Sequence, residues 1–310
     1  MIRLSHDQPL PTPLNGAVLA LGNFDGFHLG HQAVVRRAIA MGFHERRPVI
    51  VATFDPHPVR FFKPDVPPFR LTSLDQRERL FAHAGADAML VFDFGQELAS
   101  TSAEDFVADI LASRLRVAGV VTGQDFTFGR GRGGNARVMR ELGAQNGINA
   151  EAVAPVLLDG ESVSSSRIRD ALASADPATA TRLLSRPFAI EGIVERGDGR
   201  GHDFGYPTAN LSLGRYQRPA YGIYAVRVRL DDGSEHSGVA SFGIRPMFEP
   251  AKELLEAHIF DFHGDLYGRA IEVDLIAYLR AEAKFDNVDA LVKQMQADEA
   301  QARGLLAIPG

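Results

Sequence analysis

Residues 22–31 read GNFDGFHLGH, and no other ten residues of the chain are as informative. An apolar run, Ala17–Leu21, precedes it, and apolar residues at helical spacing follow it from Val34 to Met41. The order of strand, glycine-rich turn and helix is typical of an α/β domain that presents backbone N–H groups to a phosphate. We therefore predict a nucleotide phosphate site at this turn, with a strand-turn-helix unit that binds no ligand as the alternative.

The same turn carries two histidines in an H-x-G-H spacing. We expect His28 in the turn and His31 near the start of the helix, and Gly30 between them would let a ligand approach the backbone. Imidazoles beside a helix N-terminus suit an anion whose charge grows during a reaction. His28, Gly30 and His31 are therefore candidate residues for phosphate binding and catalysis.

The composition fits a chain of two domains. It has 310 residues, of which 45% are hydrophobic and 23% charged, and its formal net charge is -6. The acidic balance argues against broad electrostatic binding to nucleic acid or to an anionic membrane. The absence of cysteine excludes disulfides, thiolate metal sites and a cysteine nucleophile, and it fits a reducing compartment. With no apolar run that spans a bilayer and no signal-peptide pattern, we expect a cytoplasmic protein.

The first half alternates strand patterns with helix patterns. Alternation of this kind predicts an α/β fold with a parallel sheet covered by helices. Strands are predicted at Val49–Phe54, Ala88–Phe92 and Val117–Thr122, and helices at Asp75–Ala84, Ala103–Ser113 and Val138–Asn146. Residues 102–105 look like the start of the second of these helices, because acidic residues lie in its first turn.

The pattern changes near residue 185. Asp170–Ser185 looks like one alanine-rich helix, which Arg186 and Pro187 end. Short strand patterns separated by turn signals then predict a small antiparallel β-barrel, with strands at Phe188–Glu195, Gly222–Leu230, Ser237–Phe242, Glu256–Phe262 and Ile271–Ala277. A final helix, Val288–Leu306, is expected to pack against it. We place the boundary at residues 184–187, which gives domains of residues 1–185 and 186–310.

Three more motifs of the first half lie at predicted strand ends or helix starts. Residues 53–58 (TFDPHP) hold His57 between two prolines, and residues 123–129 (GQDFTFG) contain Asp125 at a strand end, where ligands of α/β sheets collect. Residues 164–169 (SSSRIR) place Ser165 and Arg167 at a helix start, where hydroxyls and guanidiniums form an anion site. The respective alternatives are a proline turn with a surface histidine, an ordinary loop, and a serine cap with solvated arginines.

Two motifs of the second half carry oxygen ligands and a carboxylate. Residues 197–210 read GDGRGHDFGYPTAN, and in a strand Thr208 and Asn210 would point to the same face. Their oxygens suit Mg²⁺ bound together with phosphates, and a glycine-rich hairpin with a polar face is the alternative. Glu256 and His258 would also share a face, either around a general base or as polar residues facing solvent.

Seven stretches together, in this order along the chain, resemble the prokaryotic bifunctional riboflavin kinase/FAD synthetase family. They run from about residue 16 to residue 286 and read GNFDGFHLGH, TFDPHP, GQDFTFG, SSSRIR, GRGHDFGYPTAN, EAHIFDFHGDLYG and LRAEAKF. The resemblance implies an N-terminal Rossmann-like FMN adenylyltransferase domain and a C-terminal riboflavin kinase barrel with a terminal helix. It implies that the chain makes FMN and ADP from riboflavin and ATP, and FAD and pyrophosphate from FMN and a second ATP, with Mg²⁺ in both reactions.

For the adenylyl transfer, the resemblance implies roles at the transferred α-phosphate and the departing pyrophosphate for His28, His31, Ser165 and Arg167. Asn23 and Asp25 would contact the adenine nucleotide. His57 and Asp125 would hold the nucleotide, the flavin or the metal. Because the FMN phosphate is already ionised at neutral pH, this reaction needs no protein base.

For the kinase reaction, the resemblance makes Glu256 the base for the ribityl hydroxyl, which is barely ionised at neutral pH. Thr208 and Asn210 would hold Mg²⁺ and the ATP phosphates, and the glycine loop of Gly199, Arg200 and Gly201 would lie near those phosphates. Arg280 and Phe285 match a stretch that borders the flavin.

The chain also departs from the family pattern. Ser241 and Met247 replace an asparagine and a threonine, Asp203 and Phe204 replace a frequent Thr-Leu pair, and Ser166 stands where threonine is frequent. Two other interpretations therefore stay open: an adenylyltransferase whose barrel only binds flavin, and a flavin sensor or storage protein with two inactive sites. The expected partners are small-molecule substrates, without nucleic acid or membrane, and a weak homo-oligomer is left open.

Overall fold

The computed structural model describes residues 1–196, 206–245 and 252–307. They form two compact units. Unit 1 comprises Met1–Pro67 and Leu74–Ser164, and unit 2 comprises Pro68–Ser73 and the chain from Ser165 onward. The predictions for Gly199, Arg200, Gly201, Asp203, Phe204 and Met247 lie outside the described residues.

Unit 1 is built on a six-stranded sheet in the order β1-β4-β3-β2-β5-β8, with every neighbouring pair parallel. Its strands are β1 Ile2–Ser5, β2 Val18–Leu21, β3 Val49–Asp55, β4 Ala88–Asp93, β5 Gly119–Gly123 and β8 Asn149–Val153. The predicted parallel sheet is confirmed. The strand order reverses between β2 and β5, and ligands of open α/β sheets bind outside the carboxyl ends of the strands at such a point.

Two short antiparallel ribbons complete the strands of this unit, formed by β6 Thr127–Phe128 with β7 Gly134–Asn135 and by β9 Leu157–Leu158 with β10 Glu161–Ser162. The helices are α1 Leu29–Glu45, α2 Pro58–Phe62, α3 Leu74–His83, α4 Gln96–Ser100, α5 Ala103–Asp105 and α6 Ala136–Gln145. Apolar side chains lie on both faces of the sheet. Val18 and Ala20 belong to one core cluster and Leu19 and Leu21 to another, because alternate residues of a strand point to opposite faces.

Two helices differ from the sequence prediction. The helix expected at 103–113 begins as predicted, with the Ser102 hydroxyl accepting from the Asp105 N–H, but continues as a π-helix over Phe106–Arg114. The single helix expected at Asp170–Ser185 is wrong. The chain forms α7 Ser165–Ala173 and α8 Pro177–Leu184, because Asp176 accepts a hydrogen bond from the Thr179 N–H and proline is favoured at a first helical position.

Unit 2 contains α7, α8 and a six-stranded antiparallel sheet in the order β11-β16-β13-β14-β15-β12. Its strands are β11 Phe188–Ile193, β12 Ala209–Ser212, β13 Gly222–Leu230, β14 Glu235–Arg245, β15 Lys252–Ile259 and β16 Ala270–Arg280. The two edges of the sheet meet where the Glu195 N–H donates to the Asn210 carbonyl at 2.9 Å, which nearly closes a barrel. The last helix, α9 Val288–Leu306, packs Ala302 and Leu306 against this sheet. The predicted barrel and terminal helix are confirmed.

Candidate active sites

The turn between β2 and α1 has an unusual backbone. Phe24, Gly26 and Phe27 have φ angles of 48°, 86° and 46°. This left-handed region suits glycine but is uncommon for a bulky side chain. Two phenylalanines are held there by their surroundings, and residues in such conformations cluster at functional sites.

His28 caps the start of α1. Its Nδ1 accepts a hydrogen bond from the His31 N–H at 3.3 Å, and the imidazole is 5% exposed. The two histidine rings stack with centroids 3.6 Å apart and planes 19° apart. Because Nδ1 is an acceptor, the proton of a neutral His28 lies on Nε2, which is then a donor suited to an anionic ligand.

Gly30 is a glycine because the His28 ring lies against it. A Cβ at this position would lie 3.1 Å from Cε1 and 3.2 Å from Nδ1 of His28. The sequence suggested that Gly30 makes room for a ligand. The structure adds that the room is also needed by the imidazole, so a larger residue would displace the ring.

Asn23 and Asp25 lie in the same turn and are shielded from solvent. The Asn23 carbonyl accepts from the Thr53 hydroxyl at 2.7 Å and from Nη1 of Arg77 at 3.2 Å. Its side-chain Oδ1 is buried and has no hydrogen-bond partner in the described part of the chain. Leaving such an acceptor unsatisfied costs about 1–3 kcal/mol, so this atom suits a donor on a ligand. Asp25 is 2% exposed.

Two other candidates follow neighbouring strand ends of the same sheet. His57 comes after β3 and caps α2, since its Nδ1 accepts from the Val59 N–H at 3.1 Å. Asp125 lies two residues after the end of β5 and is exposed. Both residues therefore lie at the carboxyl edge of the sheet, where the turn with the two histidines also lies.

Ser165 and Arg167 lie in the first turn of α7, which belongs to unit 2, whereas the two histidines belong to unit 1. Their joint action on one substrate stays a prediction. Arg169 of the same motif donates from Nε to the Phe69 carbonyl at 2.8 Å and lies over the Phe69 ring. This second arginine of the motif therefore holds the 68–73 segment.

In the barrel, Glu256 lies in the middle of a row of residues that crosses three strands. Its register partners are Asn210 on β12 and Ser241 on β14. Residues directly opposite each other in antiparallel strands point to the same face. Glu256 is half-buried and Asn210 is 5% exposed. The predicted base and one predicted metal ligand are thus brought together, and Ser241, noted only as a departure, lies beside them.

Thr208 lies one residue before β12 rather than inside it. The preceding carbonyl, that of Pro207, lies 2.9 Å from Nδ1 of His258 on β15. This contact keeps the chain before β12 beside β15. The His258 ring therefore contacts the segment that leads into β12, and the choice between a general base and solvent-facing polar residues for Glu256 and His258 stays a prediction.

Arg280 and Phe285 are brought together, with the guanidinium carbon 5.9 Å from the ring centroid. Nε and Nη2 of Arg280 donate to the Asp298 carboxylate of α9, at 2.9 Å and 2.7 Å. Asp298 is 4% exposed and also accepts from Gln294 at 2.9 Å. Arg280 therefore anchors α9 to the end of β16.

Asp298 and Arg77 are buried charged residues that the sequence motifs do not include. A signal existed for Asp298, because it precedes Ala302 and Leu306 at four-residue spacing and so lies on the buried face of α9. Arg77 precedes Phe81 by four residues on α3 in the same way, and both are buried. An ionisable residue on the apolar face of a predicted helix indicates a buried polar contact.

Comparisons with known proteins agree with both parts of the chain. A family model described as FAD synthetase matches residues 10–167, and one described as riboflavin kinase matches residues 184–306. The bifunctional riboflavin kinase/FMN adenylyltransferase of Escherichia coli strain K12 is 38% identical over 94% of this chain and 93% of its own. The protein with the same description from Pseudomonas fluorescens is 41% identical over 94% of both chains.

A solved structure from Streptococcus pneumoniae, titled a macrolide-efflux protein, has 31% sequence identity and a TM-score of 0.88, and covers 98% of this chain and 99% of that one. Among the residues that our structure describes, no helix combines the length and the apolar character needed to cross a membrane.

Proposed function

The chain belongs to the family of bifunctional riboflavin kinases/FMN adenylyltransferases, and from this premise we propose how its residues carry the two reactions. The first reaction transfers the γ-phosphoryl group of ATP to riboflavin and gives FMN and ADP. The second transfers the adenylyl group of another ATP to FMN and gives FAD and pyrophosphate. The observation that carries this conclusion is the match of the two family models, in this order, to the α/β part and the barrel part of one chain.

For adenylyl transfer, the ionised FMN phosphate attacks the α-phosphorus of ATP and pyrophosphate leaves. The protein must align the two substrates and stabilise the negative charge that grows on the phosphates. His28 is suited to this because its Nδ1 accepts from the His31 N–H, so the proton of the neutral ring lies on Nε2, which can donate to a phosphate. His31 stacks on that ring and fixes its plane.

The remaining residues at this site bind and orient. Asn23 and Asp25 contact the adenine nucleotide, and the buried Asn23 Oδ1 supports this role because a substrate donor would satisfy it. Ser165 and Arg167 bind the phosphates. His57 and Asp125 hold the flavin, at the same carboxyl edge of the sheet.

For phosphoryl transfer, Glu256 takes the proton of the ribityl 5′-hydroxyl as the oxygen attacks the γ-phosphorus. A positioned base contributes about 10²–10⁴-fold to such a step. The register of β12, β15 and β14 supports this role, because it places Glu256 between Asn210 and Ser241 on one face. Gly199, Arg200 and Gly201 bind the ATP phosphates, and Arg280 with Phe285 borders the flavin.

Thr208 and Asn210 fit Mg²⁺ by the chemistry of their donors. A hydroxyl and an amide oxygen are hard ligands, and Mg²⁺ in phosphoryl-transfer sites takes few protein ligands and completes its shell with phosphates and water. When bound, the ion neutralises charge on the phosphates.

We further propose that the adenylyltransferase function occupies residues 1–185 and the kinase function residues 186–310. The family models support a division between residues 167 and 184. We place the enzyme in the cytoplasm, where ATP is available, a location that a chain without cysteine suits. Its partners are its small-molecule substrates, with no nucleic acid and at most a weak homo-oligomer.

The test is to incubate the purified chain with riboflavin, ATP and Mg²⁺ and to separate the flavins by chromatography. Formation of both FMN and FAD supports the proposal. Conversion of added FMN to FAD without conversion of riboflavin would identify an adenylyltransferase with an inactive barrel. No turnover of either flavin would leave a flavin-binding protein. Chelation of Mg²⁺ with excess EDTA should abolish both conversions, and persistent activity would exclude the metal.

A further inference from the structure

Arg77 contacts the turn that carries the two histidines, and it belongs to none of the seven motifs. Its side chain is 2% exposed. Nη1 donates to the Asn23 carbonyl at 3.2 Å and to the Thr53 hydroxyl at 2.7 Å, and that hydroxyl donates to the same Asn23 carbonyl at 2.7 Å. One peptide carbonyl of the turn is thus tied both to α3 and to β3.

Phe81, one helical turn after Arg77, contacts the same turn through its ring. Its centroid lies 5.8 Å from that of Phe24 and 5.1 Å from that of Phe27, both in edge-to-face arrangements. Phe24 in turn lies edge-on to His31, with centroids 5.2 Å apart. The buried face of α3 therefore touches the turn at its polar start and at both left-handed phenylalanines.

We propose that Arg77 is a positioning residue for adenylyl transfer, which holds the strained turn in the conformation that aims His28 and His31 at the α-phosphate. The inference rests on the proposed function of this turn. Left-handed phenylalanines persist only where the surroundings fix them, and Arg77 and Phe81 are part of those surroundings. A misplacement of reacting groups by about 1 Å lowers a rate by roughly 10²-fold, so loss of the hydrogen bonds at Asn23 should be visible in turnover.

Burying the Arg77 guanidinium only to fill space in the core would cost free energy. Burial of a charge without hydrogen bonds is strongly unfavourable, and an apolar residue of similar volume would fit a helix face as well. The geometry at the Asn23 carbonyl supplies a reason for a charged donor here. The effect we expect is therefore on the placement of the turn rather than on folding alone.

The experiment compares Arg77→Met, Arg77→Lys and Arg79→Met in the full-length chain. Methionine keeps much of the apolar stem but has no donor, lysine keeps a donor, and Arg79 is an exposed arginine on the same helix. Steady-state kcat and KM are measured for FAD formation from FMN and for FMN formation from riboflavin. All assays are run well below the first unfolding transition of each variant, located by circular dichroism.

We expect Arg77→Met to lower kcat for FAD formation by about tenfold or more, with KM for FMN changed by less than about threefold. Arg77→Lys should recover most of that loss, and Arg79→Met should match the unaltered chain. Kinase activity should stay within about twofold in all three variants. Unchanged FAD formation in Arg77→Met would overturn the inference. A loss of FAD formation in Arg77→Met that is not recovered in Arg77→Lys would also overturn it. The same holds if cooling the assay restores the activity of Arg77→Met, because either result would indicate a purely structural role.

Thr53→Val provides a second route if Arg77→Met does not fold. Valine has nearly the shape of threonine but neither donates to Asn23 nor accepts from Arg77, so kcat for FAD formation should again fall while kinase activity remains. Full activity in this variant would contradict the inference. If the unaltered chain forms no FAD from FMN, the proposed function itself is wrong. If the unaltered chain forms FAD and the variants form it at the same rate, only the role of Arg77 is wrong.

Discussion

His31 fixes His28 in two ways at once, through a backbone N–H that donates to Nδ1 at 3.3 Å and through a ring stacked at 3.6 Å. The H-x-G-H spacing is what makes this geometry available. A residue at the cap and a residue three positions later meet at the start of a helix, so the side chain of the first can accept from the backbone of the second. The two imidazoles are therefore held together, and in a neutral His28 the proton lies on Nε2.

Replacing His28 can separate its capping role from its chemical role. Asparagine is among the best capping residues, so His28→Asn should keep a stability near that of the unaltered chain, whereas His28→Ala should lose about 1 kcal/mol. Both should lower FAD formation by about 100-fold, because neither keeps the Nε2 donor. Urea unfolding and flavin chromatography measure the two effects. FAD formation by His28→Asn at a wild-type rate would show that the cap alone matters.

Gly30→Ala should impair adenylyl transfer without disturbing the kinase. The new Cβ would lie 3.1–3.2 Å from two atoms of the His28 ring, so the ring must move by a few tenths of an ångström. We expect roughly a tenfold lower kcat for FAD formation. Gly304→Ala is the matched control, since that helical glycine has open space around it and alanine should stabilise α9 by about 0.5–1 kcal/mol. Equal activity of the two variants would contradict the role given to Gly30.

Glu256→Gln should abolish most FMN formation and leave FAD formation from added FMN intact. Glutamine preserves the shape of the row between Asn210 and Ser241 but cannot accept a proton, and the loss should be on the order of 10²-fold or more. His31→Ala should show the reverse pattern. Glu235→Gln, an exposed change on the adjacent strand β14, serves as the control. A parallel loss of both activities in either site variant would mean that the two sites are not independent.

The barrel should become less stable as the pH rises from about 4 to 7. Burial raises the pKa of Asp274 to about 7, and neighbouring Glu272 and Glu235 add to this, while Arg229 and Arg186 oppose it. The unfolded carboxyl ionises near pH 4. Within this window the folded state holds a proton that the unfolded state has lost, so the free energy of unfolding falls with pH and is lowest above pH 7.

Asp274→Asn should remove this dependence. The variant should gain on the order of 2–4 kcal/mol over the unaltered chain at pH 8 and much less at pH 5, as measured by denaturant unfolding at both values. Asp232→Asn is the control of opposite sign. Hydrogen bonds from Ser234, with Arg269 adding to them, lower the pKa of the Asp232 carboxyl to about 2, so its replacement should cost stability at pH 8 rather than add to it. A pH-independent effect of Asp274→Asn would refute this explanation.

The sequence predicted the elements whose pattern is local. The strand at Val49 and the final helix at Val288–Leu306 follow from β-branched runs and helical spacing, and the structure has them at nearly the same bounds. The break between α7 and α8 also has a local sequence signal, because Asp176 is a capping residue and Pro177 follows it at the first helical position. The π-helical stretch from Phe106 carries no comparable signal, because helical spacing does not distinguish the two hydrogen-bond patterns.

The candidate sites were predictable as motifs but not as arrangements. The H-x-G-H spacing identified His28 and His31, yet their stacking depends on left-handed phenylalanines at positions 24 and 27 that no propensity favours. Glu256 and Asn210 were each singled out, but the register that pairs them is set by the whole barrel. Asp298 and Arg77 act through partners 18 to 54 positions away in the chain, and such pairings are fixed only by tertiary structure.

The register of β15 links the chemistry of the barrel to its apolar interior. Leu255 and Ala257, on either side of Glu256, are fully buried, and alternate residues of a strand face opposite sides. A slip of one position would turn the glutamate into the apolar interior and both apolar residues outward. The burial of Leu255 and Ala257 thus also fixes the face of β15 on which Glu256 lies.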